Sequence, residues 1–305
     1  MNTNVNTRIK NSKKVLIFIV EGESDKIVLD LVTKILKENE IVFHVVRGDI
    51  SSDDYVTTNN VESKISRMIE EERSKYMLKK SDIFKVVHIF DMDGAYISDS
   101  LIKPSSNSNF VYKDDGIYCS DFDRVKKRNR HKREIMDYLL SLNSISNKYK
   151  YECYYFSCNL DHALYDERNL EDNLKTSKAN SFKDYFCDRE KTFVDFLELV
   201  VSCGVPNTYT ESWDFIKNND NSLQRHTNFH LFFKYIGIIM KYKKYVTRIK
   251  YNFDDNVYYG KIEGIDLFIN FQSKLLSEVE CKFHKAVDDY LSNCQEEGIT
   301  PAEKL

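Results

Sequence analysis

Two hydrophobic rhythms alternate along the first ninety residues. Lys14-Val-Leu-Ile-Phe-Ile-Val20 is a short, almost unbroken apolar run rich in β-branched residues, the pattern of a strand covered on both faces of a parallel sheet. Beyond Gly22, Ser24 is placed to cap a helix whose apolar positions Ile27, Val28, Leu31, Val32 and Ile35 recur at helical spacing to about Asn39. Ile41 to Val46 reads as a second strand closing in the turn Arg47-Gly48-Asp49. Residues 60–77 read as a charged amphipathic helix with Val61, Ile65, Met68 and Ile69 inward, and Phe84 to Phe90 as a third strand. The order is βαβαβ, an α/β arrangement built on a parallel sheet flanked by helices.

The later pattern is less regular. Residues 97–120 hold Pro104 with many Ser and Asn, which predicts an extended surface loop with one weak strand near Phe110. A helix is expected over Asp121–Leu142 and a strand over Tyr151–Phe156. Helical periodicity then dominates 181–202, 210–218, 226–246 and 267–293. The expected division is a flexible N-terminus at 1–14, an α/β domain at 15–172 and a mostly α-helical C-terminal domain at 173–305. Apolar run 229–240 is interrupted by Lys234 and is too short to span a bilayer, and the polar N-terminus lacks the apolar core of a signal peptide. Seven cysteines without a CxxC pair point to free thiols rather than a zinc knuckle or a disulfide framework, so a cytoplasmic location is expected.

Chemistry enters where strands end, because ligands of open parallel sheets meet the carboxyl ends of the strands. The first strand runs into Glu21-Gly22-Glu23-Ser24-Asp25 and the third into Asp91-Met92-Asp93-Gly94. A single Asp in such a turn is most simply a helix cap. Glu21 is a poorer cap, and several carboxylates gathered at two strand ends repel one another unless a cation compensates them. Hard oxygen donors of this kind suit Mg²⁺ or Mn²⁺.

An apolar strand with Glu21-Gly22-x-x-Asp25, then helix, strand, helix, and a strand ending Asp91-x-Asp93 resembles the Toprim domain, which occurs in topoisomerases, primases, small nucleases and the OLD class of nucleases. The likeness covers the first hundred residues and extends more weakly to about 170. It implies Glu21 as acid/base or metal ligand, Asp91 and Asp93 as the metal pair, Asp25 as an accompanying acid, and Asp161, in Ser157-Cys-Asn-Leu-Asp161, as a further ligand. Gly94 directly after the second Asp departs from the usual pattern and matches the first motif of a haloacid-dehalogenase-type phosphatase with Asp91 as nucleophile. That alternative needs a later Gly-Asp metal loop, and none of the glycines after Gly94 precedes an Asp. A Toprim-like scaffold that binds nucleic acid or a partner without cleaving it is the other alternative.

Net charge of −3 gives no global attraction to a polyanion. The run from Arg124 to Arg133 holds seven Lys or Arg in ten positions and no acid, so Arg124, Lys127, Arg128 and Arg130 are expected on a phosphate backbone. The expected activity is metal-dependent hydrolysis of RNA or DNA. The OLD-like resemblance further implies an anti-phage or toxin role and a regulatory partner protein, and leaves a homodimer open.

Overall fold

The computed structural model describes residues 14–37, 41–48 and 50–302. Except for Lys14, the N-terminal stretch expected to be flexible lies outside the described residues, as do Asn39 and Asp49 of the expected first helix and turn. In chain order the first half contains β1 (Lys14–Val20), α1 (Glu23–Lys37), β2 (Ile41–Arg47), α2 (Val61–Lys75), β3 (Ile83–Asp91), β4 (Ile102–Pro104), β5 (Val111–Lys113), β6 (Gly116–Cys119), α3 (Phe122–Leu140), β7 (Ser144–Ile145) and β8 (Tyr149–Ser157). There follow α4 (Leu160–Tyr165), α5 (Asp172–Tyr185), α6 (Glu190–Phe196) running into a π turn, α7 (Tyr209–Lys217), β9 (His226–Thr227), α8 (His230–Ile236), β10 (Ile238–Tyr242), β11 (Tyr245–Asn252), β12 (Val257–Lys261), β13 (Asn270–Ser273) and α9 (Leu276–Glu296).

The main sheet has the order β2-β1-β3-β8-β7, with β2, β1, β3 and β8 mutually parallel and β7 and β9 antiparallel to β8. Strand alternation divides the apolar side chains between two layers. Leu16, Phe18, Val20, Val87, Ile89, Tyr154 and Phe156 pack towards α1, α6, α8 and α9. Val15, Ile17, Ile19, Val86, Phe90, Tyr151 and Tyr155 face the other way, towards α2, α3 and α7. With four parallel strands in register, the carboxyl ends of β1, β3 and β8 open on one edge.

Several expectations change. The loop over 97–120 is a small three-stranded sheet, β4-β6-β5, over its own apolar cluster of Ile97, Ile102, Ile117 and Leu223. The helical tract expected over 226–246 stops at Gly237, which sits at φ +67°, and the chain turns into the four-stranded sheet β10-β11-β12-β13. Tyr245 to Tyr251 buries every second residue, a period of two, and Lys243 at φ 53° makes the tight turn between β10 and β11. The part after 173 is therefore mixed helix and sheet. The N-terminal end of the helix expected over 267–293 is likewise β13, and α9 begins only at Leu276. The apolar cluster that contains Leu16 and Phe18 also contains Phe229, Phe232, Tyr258 and Phe283, so one core runs across the expected boundary.

Candidate functional site: a carboxylate cleft at the strand ends

Glu21 follows β1 directly, Asp25 lies in the first turn of α1, Asp91 ends β3, Asp93 lies two residues beyond, and Asp161 stands in the first turn of α4 after β8. The backbone past β3 is fixed by β8: the Met92 N–H donates to the Phe156 carbonyl at 3.0 Å and the Asp93 N–H to that of Cys158 at 2.6 Å. Asp93 adopts φ 50° and Gly94 φ 65°, a left-handed pair in which a side chain on Gly94 would press on Ile117 and Leu223 at 3.1 and 3.2 Å.

The acids divide between the two faces of the sheet edge. Towards α3, the Lys132 ammonium, fully buried, lies 2.6 Å from Asp93 Oδ2 and 3.7 Å from Glu21 Oε1. Glu21 Oε1 also accepts from Ser51 Oγ at 3.0 Å. Arg128 donates from Nη2 to the Asp93 carbonyl at 2.8 Å and from Nη1 to the Tyr112 hydroxyl at 2.6 Å. Burial works against ionisation of Asp93, but Lys132 and Arg128 outweigh it and hold the carboxyl below its ordinary range. Burial likewise opposes the charge of Lys132, and Asp93 with Glu21 reverses that and raises the ammonium.

Towards α4 the balance is opposite. Asp91 Oδ1 accepts the Leu160 N–H at 2.8 Å, and Asp25 Oδ2 accepts that of Gly22 at 2.8 Å. Burial, reinforced by Glu21, Asp25 and Asp93, drives Asp91 well above the ordinary carboxylate range. Burial also raises Asp25. Asp161 is 7% exposed, its Oδ1 has no hydrogen-bond partner among the described residues, and burial pushes it up to about 6, with Lys175 opposing and Asp25 adding to the rise. This half is short of positive charge.

A cleft of about 710 Å³ is lined by Asp91, Asp93, Asn159 and Asp161, by the segment through Phe110 into β5 with Tyr112, and by residues between Arg168 and Lys175. Arg168 is tied to Asp114 and Gln224, and its buried Nε has no partner among the described residues. Lys175 pairs with exposed Asp172 at 2.8 Å and adds its charge opposite Asp161 and Asp91. His162 is used in packing: its Nδ1 accepts the Cys158 N–H at 3.0 Å, and burial lowers it to about 4. Among the described residues, the one group of three donors mutually within 4.8 Å is Cys187, Asp188 and Glu190, at the surface between α5 and α6. The strand-end carboxylates are spread more widely, with the Lys132 ammonium among them.

Of the basic residues expected on a phosphate backbone, Arg124, Lys127 and Arg130 are exposed on α3. Arg124 and Arg128 sit 5.1 and 4.9 Å from the Phe110 ring. Arg128 departs from expectation: its guanidinium is turned inward and braces Asp93, with no free fork for phosphate. Lys132, Arg168 and Lys175 were not singled out by sequence. Lys132 was within reach, because Val125, Asn129, Lys132, Ile135 and Met136 form the buried stripe of α3, and a charge at such a position needs a buried partner. Comparison with known protein families, with curated proteins and with solved structures finds no match to the chain.

Proposed function

We propose that the chain is a metal-dependent nuclease that hydrolyses phosphodiester bonds of RNA or DNA in the cleft at the strand ends. The observation that carries this reading is the surplus of buried carboxylate on the α4 side: Asp91 and Asp161 both line the cleft, both are raised by burial, and Asp161 Oδ1 has no hydrogen-bond partner among the described residues. An all-oxygen donor set with excess negative charge fits Mg²⁺ or Mn²⁺ and does not fit a soft metal. Asp91 and Asp161 would hold the ion, with Asp93 beside them and Glu21 and Asp25 adding charge behind. Once bound, such an ion polarises phosphate oxygen and activates water.

The other groups have distinct tasks. Lys132 and Arg128 fix Asp93 and the left-handed turn at Asp93-Gly94. Arg168 and Lys175 border the cleft opposite the acids, where a phosphate entering between them meets compensating charge. Arg124, Lys127 and Arg130 extend positive charge along exposed α3, a surface suited to backbone contact without base reading. A role in anti-phage defence or as a toxin, under a regulatory partner protein, is the biological setting we propose.

The test is to incubate the protein with tRNA, single-stranded RNA and plasmid DNA in Mg²⁺, Mn²⁺ or EDTA. Cutting in metal, none in EDTA, and a loss of at least about a hundredfold in Asp91→Asn and Asp161→Asn are expected. Cutting that survives in both variants would overturn the assignment of the cleft.

A further inference from the structure

Glu21 and Asp93 already have a cation between them. The ammonium of Lys132 reaches Asp93 at 2.6 Å and Glu21 at 3.7 Å from a position closed to solvent, and Glu21 is further engaged by Ser51. Glu21 is not among the residues lining the cleft, whereas Asp91 and Asp161 are, and Asp93 lines it too but is already held by Lys132. Asp91 and Asp161 are also coupled through the backbone: the residue immediately before Asp161, Leu160, donates its N–H to Asp91 Oδ1. That contact fixes the approach of α4 to the end of β3. Asp161, nine-tenths buried, brings an oxygen that finds no hydrogen-bond donor among the described residues, and a buried carboxylate oxygen without a donor is costly unless a ligand supplies one.

From this arrangement we infer that the chain binds one divalent cation per site, held by Asp91 and Asp161 on the α4 side, while Lys132 serves as the resident cation of the Glu21–Asp93 half. The inference rests on the reading of the cleft as a metal site. It differs from a two-ion arrangement, since a second dication between Glu21 and Asp93 would face a fixed ammonium at contact distance, with like charges at low dielectric. Lys132 is thus a positioning residue: it holds two carboxylates in place and keeps a second ion out.

Mn²⁺ binding measures this directly, read as the loss of the electron paramagnetic resonance signal of free Mn²⁺. The titration is run on the full chain carrying Cys187→Ser and Asp188→Asn, so that the surface group between α5 and α6 adds no count. One Mn²⁺ per chain is expected. Asp161→Asn should weaken it by at least about tenfold, and Glu21→Gln should weaken it less than Asp161→Asn does. Lys132→Met should admit a second ion. Two ions in the chain with Lys132 intact, one ion still in a folded Lys132→Met protein, or a larger loss from Glu21→Gln than from Asp161→Asn would each overturn the inference and leave the nuclease reading standing. If Lys132→Met does not fold, the ranking of the other two variants decides alone. No Mn²⁺ bound at all would remove both this inference and the metal-dependent reading.

Discussion

Asp161 and Lys132 have opposite relations to stability. Removing the Lys132 charge leaves Asp93 and Glu21 facing each other in a buried setting, so Lys132→Met should cost about 3 to 5 kcal/mol in denaturant unfolding without metal. Asp161 works the other way. Its carboxyl moves from an ordinary 3.8 to about 6 in the fold, so the folded chain holds that proton more tightly than the unfolded chain does. The stability it contributes is complete below 3.8 and is lost as pH rises through 6. Keeping the group ionised at pH 8 therefore costs on the order of 3 kcal/mol without metal. Asp161→Asn should raise the metal-free melting temperature at pH 8, narrow that gain at pH 5, and abolish stabilisation by Mn²⁺. Because the ion must displace this proton, and that of Asp91 which burial also raises, Mn²⁺ affinity should fall at least about tenfold per pH unit below 6. At this scale the acids were legible in the sequence because strand ends are where such groups gather. Their division was not legible, since which face of the sheet edge a carboxylate takes depends on strand parity and on the left-handed turn at Asp93.

The small sheet of β4, β5 and β6 forms one wall of the cleft and depends on a close approach at Gly116. The φ of this residue is +150°, and a side chain there would meet the Leu101 carbonyl oxygen at 2.1 Å. Gly116→Ala should displace β6 and abolish cutting while leaving Mn²⁺ binding in place, which a titration beside a cleavage assay distinguishes. Helix α3 divides its work by face. Replacing Arg124, Lys127 and Arg130 together with Gln should weaken nucleic-acid binding and flatten the dependence of log K on log salt by roughly two to three. The helix expected over Asp121–Leu142 matches α3, Phe122–Leu140, to within two residues at each end. The sequence misjudged Arg128, since a run of bases does not reveal which members turn towards a carbonyl 35 residues earlier in the chain. The segment 97–120 looked like loop because its strands are only three or four residues long, below the length at which alternation becomes visible.

Across the whole molecule, one apolar cluster joins the parallel sheet to the later half. Phe18 of β1 meets Phe229, at the cap of α8, and Phe232 of α8 edge to face, at 6.3 and 5.6 Å, and the same cluster continues to Phe283 of α9. The chain should therefore unfold in a single thermal transition, and a fragment ending at 172 should lack the far-ultraviolet and near-ultraviolet dichroism of a packed domain. Two resolved transitions would show that the halves fold independently. The early βαβαβ was legible because its strands are continuous apolar runs. The later sheet was hidden because Phe229 to Met240 fits a helical period up to Gly237, and the tyrosines of β11 match helical and strand spacing over so short a stretch.

The most direct test of the carboxylate cleft is anomalous scattering from a crystal soaked in Mn²⁺. A peak within coordination distance of Asp91 and Asp161, with Lys132 still against Asp93, is the predicted result. Contradiction would be a map with no Mn²⁺ on either carboxylate at saturating concentration, or one whose only peak lies at Cys187, Asp188 and Glu190.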